Sequence, residues 1–89
     1  MSSDRDFTDA QARVKRLAQT PTSEELLTLY ALYKQATAGD VSGKRPGLLD
    51  LKGRAKYDAW ERRRGRPREA CAAEYVELVA QLEKKYGAR

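Results

Sequence analysis

Three observations predict an all-α fold of four helices. Apolar residues recur at helical spacing in four separate segments. No sustained period-2 run competes for a strand. Residues that start and stop helices stand at the segment borders. The chain has 89 residues, 40% of them hydrophobic and 35% charged, which is the composition of a soluble globular protein. That length suits one domain, taken as residues 1–89.

The first helix is expected from about Ser3 to Ala18. Ser3 is an N-cap residue type, and Asp4 and Asp6 suit the positive end of the helix dipole. Phe7, Ala10, Val14 and Leu17 form one apolar stripe. The stretch "QTPTSEE" then breaks the chain, and Thr22 with Glu25 has the spacing of a capping box. The second helix runs to about Ala38, where Gly39 ends it.

"GDVSGKRPGLLD", residues 39–50, holds three glycines and a proline without helical periodicity. It is longer than the roughly 2–8 residues that usually join bundle helices. The third helix is expected from Asp50, as N-cap, to Arg64, with Gly65 as its stop. Pro67 stands where a first helical residue loses nothing by lacking an N–H. The fourth helix then runs to Tyr86, with Ala72, Tyr75, Val76, Val79, Leu82 and Tyr86 on its apolar face. Lys84 and Lys85 suit its last turn and Gly87 its end.

Lysine plus arginine number 18 and aspartate plus glutamate 13, a net charge of +5. Such a charge draws anions: nucleic acid, anionic lipid or a phosphorylated ligand. There is no histidine, which removes the commonest general base and metal ligand near neutral pH. The single cysteine, Cys71, permits neither an intrachain disulfide nor a thiolate zinc site. Cys71 reads as a small helix residue and Trp60 as a core anchor. The first residues carry no apolar run, so no signal peptide is expected. No stretch approaches the length of a membrane span. The expectation is a cytoplasmic monomer without metal, cofactor or membrane insertion. No constellation of side chains is present that would activate water or a nucleophile, so no enzyme and no catalytic residues are expected.

The chemistry lies at the margins of the apolar stripes. Tyr30, Tyr33 and Lys34 share one face of the second helix, at i, i+3 and i+4. Lys52 and Lys56 repeat at i, i+4 on the third, beside Ala55. Tyr75 lies in the fourth and Lys15 at the edge of the first. Taken singly, these are core tyrosines and solvated or snorkelling lysines. If the margins converge, they make a basic, aromatic-floored pocket beside Leu26 and Leu27. That pocket suits an amphipathic anion with phosphates, a flat ring and a hydrocarbon. "RRRGRPR", residues 62–68, is the strongest basic run. It reads as a solvated turn, with a nucleic-acid or anionic membrane surface as the competing function.

"YALYKQATAGDVSGKRPGLLDLKGRAKYDAW" closely resembles the central signature of the acyl-CoA-binding protein family. Several motifs stand in order at family spacing, and the similarity extends outward to nearly the whole chain. The resemblance implies an up-down-down-up four-helix bundle that binds fatty acyl-CoA esters of medium to long chain without chemistry. It implies a carrier that meets acyl-CoA-producing and acyl-CoA-consuming enzymes transiently. Carried over by position, Lys15, Tyr30, Tyr33, Lys34, Lys52, Lys56 and Tyr75 match ligand-contacting residues of the family. Tyr30, Lys34 and Lys56 would surround the adenine and 3′-phosphate, with Lys15 on the phosphates. Tyr75 would close the nucleotide site, and Leu26 and Leu27 would meet the acyl chain. Three departures stand out. Tyr57 replaces a common tryptophan, Arg66-Pro67-Arg68 adds charge away from the matched pocket, and Leu32 replaces a commonly polar residue, so that an exposed or rim position is expected for it.

Overall fold

The computed structural model describes residues 4–89 and contains four helices: α1 (Asp4–Val14), α2 (Ser23–Ala38), α3 (Leu51–Glu61) and α4 (Arg68–Tyr86). The expected N-cap at Ser3 lies outside the described residues.

The helix starts follow local chemistry. The Thr22 hydroxyl accepts the Glu25 N–H, and the Glu25 carboxylate accepts the Thr22 N–H, a complete capping box. The Asp50 carboxylate accepts the Gly53 N–H at 2.9 Å. A Cβ on Gly53 would stand 2.3 Å from that carboxylate, so a larger residue there would make the Asp50 side chain shift. Pro67 is the residue before the α4 helix, with φ −60° and ψ 140°, rather than its first helical residue.

Helix ends depart from expectation where distant contacts intervene. α1 stops at Val14, not Ala18. Arg16 and Ala18 instead pair with the chain end: the Ala18 N–H donates to Gly87 O, and the Arg89 N–H to Arg16 O. α3 stops at Glu61, not Arg64. The Arg63 and Arg64 N–H groups reach back three residues instead of four, tightening a turn that ends at Gly65.

Side-chain pairs fix the helix directions. Phe7 near the start of α1 meets Tyr75 in the first half of α4, and Arg13 meets Glu83 near the ends of both, so these helices run parallel. Glu25 at the start of α2 meets Lys85 at the end of α4, and Gln35 near the end of α2 meets Arg66 just before α4. These two run antiparallel. Tyr30 faces Lys56 and Lys34 faces Trp60, so α2 and α3 run parallel. The result is an up-down-down-up bundle.

This topology explains the long loop. Parallel neighbours require the chain to return along the full length of a helix. α2, with 16 residues, is about 24 Å long, and a 12-residue connection reaches at most about 40 Å. The returning strand of chain is fastened to α3. Trp60 Nε1 donates to Gly39 O at 2.7 Å, Tyr57 OH donates to Gly43 O, and Arg45 makes a bidentate pair with Asp58.

Packing is sequential: α1 lies on α4, α4 on α2, and α2 on α3. The core joins Ala10 and Leu17 to Leu29, Leu32, Cys71, Tyr75, Val79 and Leu82. Leu32 is only 2% exposed, contrary to its expected rim position. α2 is covered on two sides, by α3 and by α4, so it has no single wet face to which Leu32 is assigned. α3, by contrast, packs on one helix only and leaves open surface along its seam with α2.

Candidate functional site

The open seam is a groove of about 400 Å³ lined by Ser23, Leu26, Leu27, Tyr30, Lys52, Ala55 and Lys56. The residues come from one face of each helix. Ser23, Leu26, Leu27 and Tyr30 repeat at 3–4-residue spacing, as do Lys52, Ala55 and Lys56. Apolar side chains make its floor and the two lysines its edge. Leu26 remains 45% exposed there.

Two cation–aromatic contacts cross the seam. Lys56 Nζ lies 5.4 Å from the centroid of the Tyr30 ring. One turn further, Lys34 Nζ lies 4.8 Å from the Trp60 ring. The spacing i, i+4 on both helices produces these two rungs. Lysine pairs held this way present ammonium groups at the groove edge while their stems cover apolar surface.

A second cluster adjoins at Tyr33, the residue before Lys34. Its ring lies 6.1 Å from Phe7 and 6.4 Å from Tyr75, and Phe7 packs edge-on to Tyr75 at 5.2 Å. Tyr33 is 37% exposed, whereas Tyr75 is buried. Burial, and after it Tyr33, raises the Tyr75 pKa above its ordinary value, so this phenol stays neutral.

Leu26, Leu27, Tyr30, Lys52 and Lys56 are thus brought together in one groove, with Lys34 on the next rung. Tyr33 and Tyr75 belong to the neighbouring aromatic cluster. Lys15 is exposed just beyond the end of α1 and is not among the residues lining the groove. Reading by sequence missed Ser23 as a lining residue, Trp60 as the seat of Lys34, and Phe7 as the ring that joins Tyr33 to Tyr75. The i, i+4 spacing of Lys56 and Trp60, mirrored by Tyr30 and Lys34, was the available signal for the second.

The basic run behaves differently from a free cationic face. Arg63 and Arg66 pair with Glu74, and Arg68 donates to Ala38 O. The Arg66 carbonyl accepts from Gln35 Nε2. The Gln35 and Arg68 contacts fasten the start of α4 to the end of α2, and Glu74 ties the α3–α4 turn to α4. Cys71 is fully buried, and that burial raises its thiol pKa, leaving it protonated and unreactive. Among the described residues, no group of carboxylates or thiols is placed to hold a metal ion.

A family model described as Acyl CoA binding protein matches residues 4–79. The chain belongs to the acyl-CoA-binding protein family. It is 49% identical over 82 residues to "Acyl-CoA-binding protein homolog 1" of Caenorhabditis elegans, covering 92% of this chain and 95% of that one. It is 48% identical over 80 residues to the "Acyl-CoA-binding protein homolog" of Drosophila melanogaster, covering 90% and 93%. Among solved structures it is similar to Oryza sativa Acyl-CoA-Binding Protein 2, with a TM-score of 0.89 at 40% identity over 94% of this chain and 91% of the other.

Proposed function

We propose that the protein binds fatty acyl-CoA esters reversibly, one per chain, as a carrier that performs no chemistry on them. The observation that carries this reading is the α2–α3 groove, in which Leu26, Leu27 and Ala55 form an apolar floor beside Lys52, Lys56 and Tyr30. A hydrocarbon on that floor gains about 0.8 kcal/mol per buried methylene. Each charged hydrogen bond between a lysine and a phosphate adds about 1.5–3 kcal/mol before ordering costs. Tight binding therefore uses both halves of the ligand.

In this reading Lys34, Lys56 and Tyr30 hold the 3′-phosphate and adenine, and Lys52 meets other phosphates. Tyr33 and the buried Tyr75 wall the nucleotide end, and Lys15 approaches from the α1 side on binding. The chain acts as a cytoplasmic monomer that exchanges its ligand with enzymes by collision. The absence of histidine and the buried, protonated Cys71 weigh against a hydrolase. The pairing of Arg63 and Arg66 with Glu74 weighs against a nucleic-acid surface at residues 62–68.

Incubation of the purified protein with hexadecanoyl-CoA, followed by native mass spectrometry and thioester quantification, tests the carrier reading. A one-to-one complex with the thioester intact is expected. Progressive release of free CoA would contradict it.

A further inference from the structure

We propose that the turn at Gly47–Asp50 is a docking surface for an anionic lipid bilayer. The Asp50 N–H donates to Gly47 O at 3.1 Å, which closes a four-residue turn around Leu48 and Leu49. Central turn positions ordinarily favour glycine, proline, asparagine, aspartate or serine. Here they are leucines, exposed by 76% and 103%, and Leu51 follows at 73%. None of the three joins the core or lines the groove. The core and the groove thus leave this apolar tip without a use, and three large exposed leucines within four residues form a patch rather than scattered surface.

The surrounding charge selects the partner. Lys44 and Lys52 are exposed on either side of the leucines. Between residues 44 and 58, Lys44, Arg45, Lys52, Arg54 and Lys56 outnumber the carboxylates of Asp50 and Asp58. Arg45 and Asp58 neutralise one another, which leaves Lys44, Lys52, Arg54 and Lys56 against Asp50 alone. An apolar tip ringed by cations matches a bilayer interface, where leucines enter among the headgroups and lysines reach the phosphates. A nucleic acid would use the cations and leave the leucines in water. A second copy of this chain would set the same cations against each other. No helix among the described residues is long and apolar enough to cross a membrane, so the contact is peripheral. Lys52 also lines the groove, which places the docked turn next to the ligand site.

The test uses the ligand-free chain, so its outcome is separate from that of acyl-CoA binding. Co-sedimentation is measured with phosphatidylcholine vesicles containing about one-third phosphatidylglycerol and with phosphatidylcholine alone. The wild type is expected to bind the anionic vesicles well above the neutral ones. The L48S/L49S variant should lose about tenfold or more of that affinity, and the single variant K44E should lose a smaller share. Binding that is equal on both vesicles, absent from both, or unchanged in L48S/L49S would overturn the proposal. So would a concentration-dependent dimer in sedimentation that L48S/L49S abolishes in the absence of vesicle binding.

Discussion

Replacing Lys34 with methionine removes a charge from the rung that Lys34 makes with Trp60. In the free protein the ammonium lies 4.8 Å from the indole centroid, a contact worth about 0.5–1 kcal/mol at a partly exposed site. Methionine keeps the apolar stem, so the fold loses no more than that. In the proposed binding mode a phosphate takes the ammonium as a charged hydrogen-bond donor, worth about 1.5–3 kcal/mol. The indole contact is given up in exchange. The net loss for Lys34→Met is therefore about 0.5–2.5 kcal/mol of binding, roughly two- to seventyfold in affinity. The assay compares hexadecanoyl-CoA with the same ester lacking the 3′-phosphate, by calorimetry, in wild type and variant. The variant should lose most of its disadvantage on the second ligand. Trp60 is the only tryptophan, so its emission reports the same event. Ligand should change that emission in the wild type and change it much less in Lys34→Met. Equal losses on both ligands, with identical fluorescence changes, would refute the assignment of Lys34 to that phosphate.

Two further outcomes concern the scaffold. Trp60→Phe deletes the 2.7 Å bond to Gly39 O and leaves a buried carbonyl unpaired, so stability in urea should fall by about 1–3 kcal/mol; an unchanged midpoint would contradict the fastening of the loop to α3. Glu25 is held down at about 2 by hydrogen bonds from Tyr86, Lys85 and Thr22, against an ordinary 4.5. Its folded pKa lies below its unfolded one, so its contribution is complete above the unfolded value and is lost as pH falls from there toward 2. Melting temperatures of wild type and Glu25→Gln should differ at neutral pH and converge across that acidic window, and a gap independent of pH would contradict it.

What was legible in the sequence was local. Thr22 with Glu25, Asp50, Gly39 and Gly87 mark borders through hydrogen bonds to residues three or four away, and the structure keeps each of them. The unusual length of residues 39–50 was visible too, but the parallel return that it serves was implied only by the family resemblance. What was not legible depends on residues distant in sequence. α1 ends early because the chain end pairs with Arg16 and Ala18. Leu32 is buried because α2 meets two helices, which no pattern within α2 reveals. The lysines and tyrosines were visible as residue types at stripe margins. Their division into a groove with Lys52 and Lys56, and an aromatic cluster with Phe7 and Tyr75, follows from which helices touch.

The central claim is that one groove recognises a hydrocarbon and a phosphorylated nucleotide together. Calorimetric titration with free CoA, acyl-CoA esters of increasing chain length and the free fatty acid tests it most directly. One site per chain is expected, with affinity rising from short to long esters and with free CoA and free fatty acid each binding far more weakly than the long ester. Equal affinity for free CoA and hexadecanoyl-CoA would contradict it.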